Sequence, residues 1–384
     1  MKRPLTALVV AALSLVAAPV ARADFQLNRF ITNGNSAAGW VTDANAPPGA
    51  SDHQSVRLFV NGSSSTDFND SAIAVFKGFG ATPDPSPPGF DFKTPTAGAS
   101  GGSVRMVIRF SDGGKGELRP VTFVSNQWIH VGGTAPDWDT SGGTCGNRSD
   151  QTYSQVLGCH PGATIRAVEV INDSGWLHPF GFEIIVDNVT YAGETVSKPA
   201  PPVLGQGVLL KQTVGPVVVR VGARDRAHIV GTANVPVGAF VDTRRGHAKL
   251  TSEKKGNKRQ SARFTDGIFK VKQKRRGRGL VDLILSEPLA CGAGGSSAGV
   301  AYAATRGETS RRRRRRRRLW GRGRGRYRTR GRYSSGSVRG TKWLTQDTCR
   351  GTLTLVRNGV VVVRDFRKKK TVVLHAGEHY FASK

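Results

Sequence analysis

The chain predicts a mostly β protein in two parts, on three observations. Apolar residues come in short β-branched or alternating runs cut by Gly, Pro, Asn and Ser. No stretch after residue 24 shows the 3.6-residue period of a long amphipathic helix. A proline-rich segment divides an acidic part from a basic one. Residues 24–195 carry 17 acidic and 10 basic side chains, whereas residues 196–384 carry 10 and 44. Net charges of −7 and +34 imply different partners for the two parts.

At the start, Lys2-Arg3 precede an apolar run over 5–16 and the small residues of Ala21-Arg22-Ala23. This is the pattern of a secretory signal peptide over 1–23. Its apolar core of about a dozen residues falls short of the ~20 needed to cross a bilayer, and no later run is longer. The expected protein is secreted or extracytoplasmic, with no transmembrane segment after cleavage. Four cysteines in an exported chain favour disulfides. Sequence alone allows three pairings, and the division into two parts favours Cys145–Cys159 and Cys291–Cys349. In the chain-entropy picture their loops are worth ~3 and ~4 kcal/mol.

Within 24–195, strands are expected at 55–60, 104–110, 164–171 and 182–190. In the last, a period of two places Phe182, Ile184 and Val186 on one face. Short strands between turn signals suggest an antiparallel, jelly-roll-like β-sandwich. Residues 196–206 read as a Pro-rich, semi-rigid linker. From 207 to 384, strands are expected at 208–211, 217–221, 235–242, 247–251, 267–272, 280–285, 337–345, 352–356, 360–365 and 371–375. Residues 292–318 lose hydrophobic pattern and read as a disordered basic insertion, its neck held by Cys291–Cys349.

Two resemblances accompany this pattern. Val338-Arg339-Gly340-Thr341-Lys342-Trp343 resembles the arginine-glycine-threonine turn and following aromatic of FecR-type domains. Thr352–Val356 with Asn358-Gly359-Val360, and the closing Val372-Leu374-Ala376-Gly377, resemble that family's later strands; 241–250 and 264–271 fit more loosely. The resemblance implies a β-rich extracytoplasmic module related to surface-signalling proteins. With a signal peptide expected at its start, the chain is expected to depart from those signalling members in their cytoplasmic segment and spanning helix. More faintly, the first part resembles jelly-roll modules of the carbohydrate-binding type, through Ile185-Val186-Asp187-Asn188-Val189. That resemblance implies Asp187 as a candidate ligand for a structural calcium; no other cofactor is indicated.

The most conspicuous candidate site is cationic. Arg311, Arg312, Arg313, Arg314, Arg315, Arg316, Arg317 and Arg318 are consecutive and cannot form a core. Arg322, Arg324, Arg326, Arg328, Arg330 and Arg332 then alternate with Gly, Tyr and Thr. On a single strand, all six would project from one face at ~7 Å intervals, with Tyr327 and Tyr333 on the other. Such a face suits non-specific binding of an extracellular polyanion or anionic cell-wall polymer, not sequence-specific nucleic-acid recognition. Codon bias in a G- and C-rich genome would produce the same repeat without selection.

Carbohydrate would need an aromatic platform with polar neighbours. The candidates are Trp138 between Asp137 and Asp139, and Trp176 after Asp173, each in a Gly/Ser-rich loop. Catalysis has thin support. Glu183 and Asp187 share a strand face, but the tighter Glu-x-Asp-x-Glu of the familiar jelly-roll glycosidases is absent. Two G-x-S-x-G matches, at 98–102 and 295–299, lack the strand-to-helix context of a nucleophile elbow. The expected function is a non-enzymatic binding or adhesion protein of the bacterial cell envelope. The alternatives are an extracytoplasmic sensor and a glycan-processing enzyme.

Overall fold

A computed structural model describes residues 25–384 except 35, 49–52, 61–69, 78–81, 96–102, 121, 133, 174–181 and 292–315. It is almost entirely β, with one short helix among the described residues. In the first half the strands are β1 (Gln26–Thr32), β2 (Ala37–Thr42), β3 (Gln54–Val60), β4 (Ser71–Lys77), β5 (Gly89–Lys93) and β6 (Arg105–Phe110). There follow β7 (Lys115–Leu118), β8 (Trp128–Gly132), β9 (Trp138–Ser141), β10 (Arg148–Gln151) and the helix α1 (Tyr153–Cys159). The half closes with β11 (Ile165–Asp173), β12 (Phe182–Tyr191) and β13 (Glu194–Val196).

Two antiparallel sheets pack face to face. One runs β1-β4-β11-β6-β7-β9-β10, and the other β2-β3-β12-β5-β8. Phe182, Ile184 and Val186 point into the shared core as expected. Helix α1 starts on a reciprocal capping box between Thr152 and Gln155 and ends after two turns at Cys159, with His160 as its cap and Pro161, which cannot continue a helix, next in the chain.

The second half holds β14 (Gly207–Val214), β15 (Val217–Val221), β16 (Asp225–Ile229), β17 (Thr232–Pro236) and β18 (Phe240–Asp242). Next come β19 (His247–Lys254), β20 (Lys258–Thr265), β21 (Ile268–Gln273), β22 (Val281–Leu285), β23 (Arg316–Arg324) and β24 (Tyr327–Arg330). The last are β25 (Ser334–Thr348), β26 (Gly351–Asp365), β27 (Thr371–Leu374) and β28 (His379–Ser383). One sheet runs β17-β14-β19-β20-β23-β25-β26-β28. The other runs β16-β15-β18-β21-β22-β24-β25-β26-β27, in which only β22–β24 is parallel. The long β25 and β26 pass through both.

Several expectations change. The run 235–242 is two strands, broken at Pro236 and at Gly238, whose φ is +103°. The runs 352–356 and 360–365 fuse into β26. The arginine-glycine-threonine stretch is no turn but a bulge inside β25, where the register with β26 slips between Arg339 and Lys342. Arg316, Arg317 and Arg318, placed in the basic insertion on sequence, begin β23 instead; a neighbouring strand supplies the hydrogen bonds that composition does not reveal.

The proline-rich segment lies against the second half. Asn234 donates to the Ala200 carbonyl at 2.8 Å, and the Leu204 amide to Glu253 at 2.6 Å. The halves also touch directly. Ile229 pairs with Ala38 and Thr232 with Trp40, while Arg29 meets Asp225 at 2.7 Å. Both disulfides, Cys145–Cys159 and Cys291–Cys349, are present.

Candidate functional site

Five strands of the second half share a local pattern, a cation next to residues that belong inside: Leu210-Lys211, Ala248-Lys249-Leu250, Ala262-Arg263-Phe264, Gly321-Arg322-Gly323 and Thr341-Lys342-Trp343. Burying Leu210, Leu250, Phe264 and Trp343 forces each cation outward, because side chains alternate across a strand. Register then aligns them. Lys211 faces Lys249, Lys249 faces Arg263, Arg263 faces Arg322, and Arg322 faces Lys342. The result is a row of five exposed cations across β14, β19, β20, β23 and β25, ~19 Å long at the ~4.8 Å spacing of strands.

None of the five forms an ion pair among the described residues; the Lys342 ammonium lies 5.7 Å from the Trp320 ring centroid. Like charges directly opposite each other oppose the pairing of strands. At ~4.8 Å in water each adjacent pair costs about 0.9 kcal/mol before salt screening and side-chain splaying. The interspersed glycines have a packing reason. A Cβ at Gly321 would lie 2.4 Å from the Trp343 ring, and one at Gly323 would lie 2.6 Å from Ala262. The Gly-Arg repeat thus seats a tryptophan beneath the charged face.

The alternating arginines do not share one strand. The chain breaks at Gly325-Arg326, so Arg322 and Arg324 project from β23 while Arg328 and Arg330 project from β24, in the other sheet. Arg322, Arg324, Arg326, Arg330 and Arg332 are exposed. Arg328 is tied to Asp282 by two hydrogen bonds, one of 2.7 Å, and this contact more than offsets burial to raise its pKa. Tyr327 points inward as expected, donating to the carbonyls of Leu250 or Gln260 at 3.1 Å, with burial pushing its hydroxyl pKa up. Tyr333 is only half-buried.

Arg317 joins Asp347 at 2.9 Å and donates to the Glu287 carbonyl at 2.7 Å. Arg318 pairs with Asp266 at 2.9 Å. These two arginines are therefore structural anchors of β23. Arg311, Arg312, Arg313, Arg314 and Arg315 lie outside the described residues.

The proposed carbohydrate platform fails at Trp138. Its loop is strand β9, paired with β7, and the indole is fully buried 5.1 Å from the Tyr153 ring. Asp139 is bound to Arg119 at 2.9 Å, Asp137 is half-buried, and Asp173 holds Arg105 at 2.6 Å. Trp176 lies outside the described residues, as do both G-x-S-x-G matches. Asp187 is buried; its oxygens accept from the Asn188 amide at 2.7 Å and the Ser55 hydroxyl at 3.1 Å. No group of three or more His, Cys, Asp or Glu suited to a metal occurs among the described residues. With both oxygens held by protein donors, Asp187 offers calcium a poor fit.

A concavity lies on the outer side of the β2-β3-β12-β5-β8 sheet, about 340 Å³ and lined by Thr42, Asp43, Arg57, Lys93, Asn126 and Glu183. Its charges are paired: Arg57 with Glu183 at 2.6 Å, Lys93 with Asp43 at 2.7 Å. Lys93 also sits 4.9 Å from the Trp128 ring centroid. The residues are close in space but dispersed in sequence, so only the fold assembles them. Glu183, bound to Arg57, and the buried Asp187 do not form an acid–base pair around an open cleft.

No family model matches the chain, and no curated protein matches it. Among solved structures, it is similar to a beta-1,2-glucanase from Parabacteroides distasonis at 11% identity and a TM-score of 0.23. The likeness covers 62% of this chain and 38% of the glucanase, and carries no argument about activity.

Proposed function

We propose that this is an extracytoplasmic, non-enzymatic binding protein of the cell envelope, and that its second half holds anionic polymers on the cation row. The supporting observation is the in-register line of Lys211, Lys249, Arg263, Arg322 and Lys342, none with a carboxylate partner among the described residues. A fold that sets five like charges abreast is relieved when a polyanion supplies the missing counter-charge. Two disulfides and the leader-like start support an oxidising compartment. The FecR-like motifs agree with such a location, without a signalling role.

The test is heparin affinity as a function of salt. Each phosphate- or sulfate-like contact contributes roughly 0.7–0.9 to the log–log slope. The triple variant Lys249→Gln, Arg263→Gln, Arg322→Gln is expected to lower that slope by about 2 to 3. An unchanged slope would overturn the assignment.

The groove of the first half supports a second reading, as a glycan site. Asn126 and two ion pairs line it, offering hydrogen-bonding groups for hydroxyls, and the half-buried Trp128 lies beside it against Lys93. Glycan-array binding abolished by Trp128→Ala, with folding intact, is the expected result. This site replaces the one expected at Trp138.

A further inference from the structure

The face that carries the cation row changes character along its strands. Two residues along, ~7 Å away, the laterally paired positions are Thr265, Trp320, Leu344 and Leu355. A second step brings Arg318, Gln346, Leu353 and Phe381 into line. Alternation puts these side chains on the outer side, since Trp343, Thr345, Thr354 and Val356 fill the interior. Phe381 is 44% exposed, Trp320, Leu353 and Leu355 are half-buried, and Leu344 is buried beneath them. The outer surface is therefore divided: cations over β14, β19 and β20, apolar side chains over β26 and β28. Strands β23 and β25 carry both, with Arg322 beside Trp320 and Lys342 beside the buried Leu344.

A soluble polyanion uses the row alone and gains nothing from Leu353, Leu355 and Phe381. A second copy of the chain would bring the same cations against their own image, in a protein of formal net charge +30. An anionic lipid surface satisfies both parts. Phosphates meet the ammonium and guanidinium groups while aromatic and aliphatic side chains enter the headgroup–acyl boundary. Lys and Arg stems reach across the border between the two zones. We propose that this face docks the protein onto an anionic lipid surface. The proposal rests on reading the row as an anion-binding face.

The experiment compares the full chain and two variants, each confirmed folded by thermal melting, in vesicle co-sedimentation and in heparin binding. One vesicle set is phosphatidylglycerol with phosphatidylcholine in equal parts, the other phosphatidylcholine alone. The unmodified chain is expected to sediment with the anionic set only. Phe381→Asp should weaken that partitioning at least about tenfold, from loss of one inserted aromatic, and leave heparin affinity unchanged. Arg263→Gln should weaken both, about fivefold for vesicles.

If Phe381→Asp misfolds, Leu355→Gln replaces it with the same expectation. Equal binding to both vesicle sets would overturn the lipid proposal. So would an apolar-site variant that leaves vesicle binding intact while Arg263→Gln still weakens heparin; the polymer-binding row would then stand. Should Arg263→Gln alter neither, the row and the lipid proposal fall together.

Discussion

Lys93 in the first half and Lys249 in the second both sit on the outer side of a β-sheet, in opposite surroundings. The Lys93 ammonium is buried, 2.7 Å from Asp43 and over the Trp128 ring. Lys249 is exposed between Lys211 and Arg263. Four arginines of the first half extend the contrast. Arg57, Arg105, Arg109 and Arg119 each meet a carboxylate, whereas the cation row meets none among the described residues. These first-half arginines are consumed within the fold; the row of the second half is left for something else, although Arg317, Arg318 and Arg328 nearby are paired. Composition alone gives net charge, but its availability depends on which carboxylates the fold brings alongside.

The strongest way to break this comparison is to truncate the paired lysine. Lys93→Ala leaves Asp43 nearly buried without its counter-charge and should cost about 3–5 kcal/mol in urea unfolding. Lys249→Ala should cost nothing, and would raise stability by a few tenths of a kcal/mol if repulsion along the row is felt. Equal losses at the two sites would erase the distinction.

Trp138→Ala should cost about 3–5 kcal/mol, as for other large buried aromatics, while glycan binding by the remaining folded protein stays unchanged. Reducing Cys145–Cys159 should remove about 3 kcal/mol, visible as a lower midpoint with the second half still competent for heparin.

Acid should sharpen the same contrast. Burial works against ionisation of Asp112, but hydrogen bonds from His160 and the Gly114 amide overcome it and hold the carboxyl below its ordinary 3.8. Glu117, also opposed by burial, is held below 4.5 by Lys115 and Arg119. A lowered folded pKa means the stabilisation is present above the unfolded value and is lost as pH falls through the folded one. Stability should therefore drop below about pH 4. Asp112→Asn should shallow that decline, read from melting midpoints against pH. The cation row contains no titrating carboxylate, so heparin affinity of the still-folded fraction should not follow the same curve.

Much of the fold was legible. Runs such as Val217–Val221, found where expected, announce themselves because β-branched residues alternate between turn signals. The splitting of 235–242 and the fusion of β26 were not legible, since both depend on what the neighbouring strand tolerates at a proline or a glycine. Trp138 misled because its aspartate-flanked surroundings look like a loop, yet pairing with β7 turns the indole inward. The cation row was hidden for a related reason. Lys211, Lys249, Arg263, Arg322 and Lys342 span more than a hundred residues, and only register sets them side by side. A trace was present in sequence: Lys249, Arg263 and Lys342 each lie between two core residues, Lys211 follows the core residue Leu210, and Arg322 lies between two glycines.

Strands β25 and β26 belong to both sheets of the second half. Peeling either sheet away would tear the hydrogen bonds of the other, so the half should open as a unit. Amides in Trp343–Thr345 and Val361–Val363 are then expected to exchange with deuterium at the rate of global unfolding. A surface carried on such strands keeps its charges at fixed separations under load, as a comb keeps its teeth.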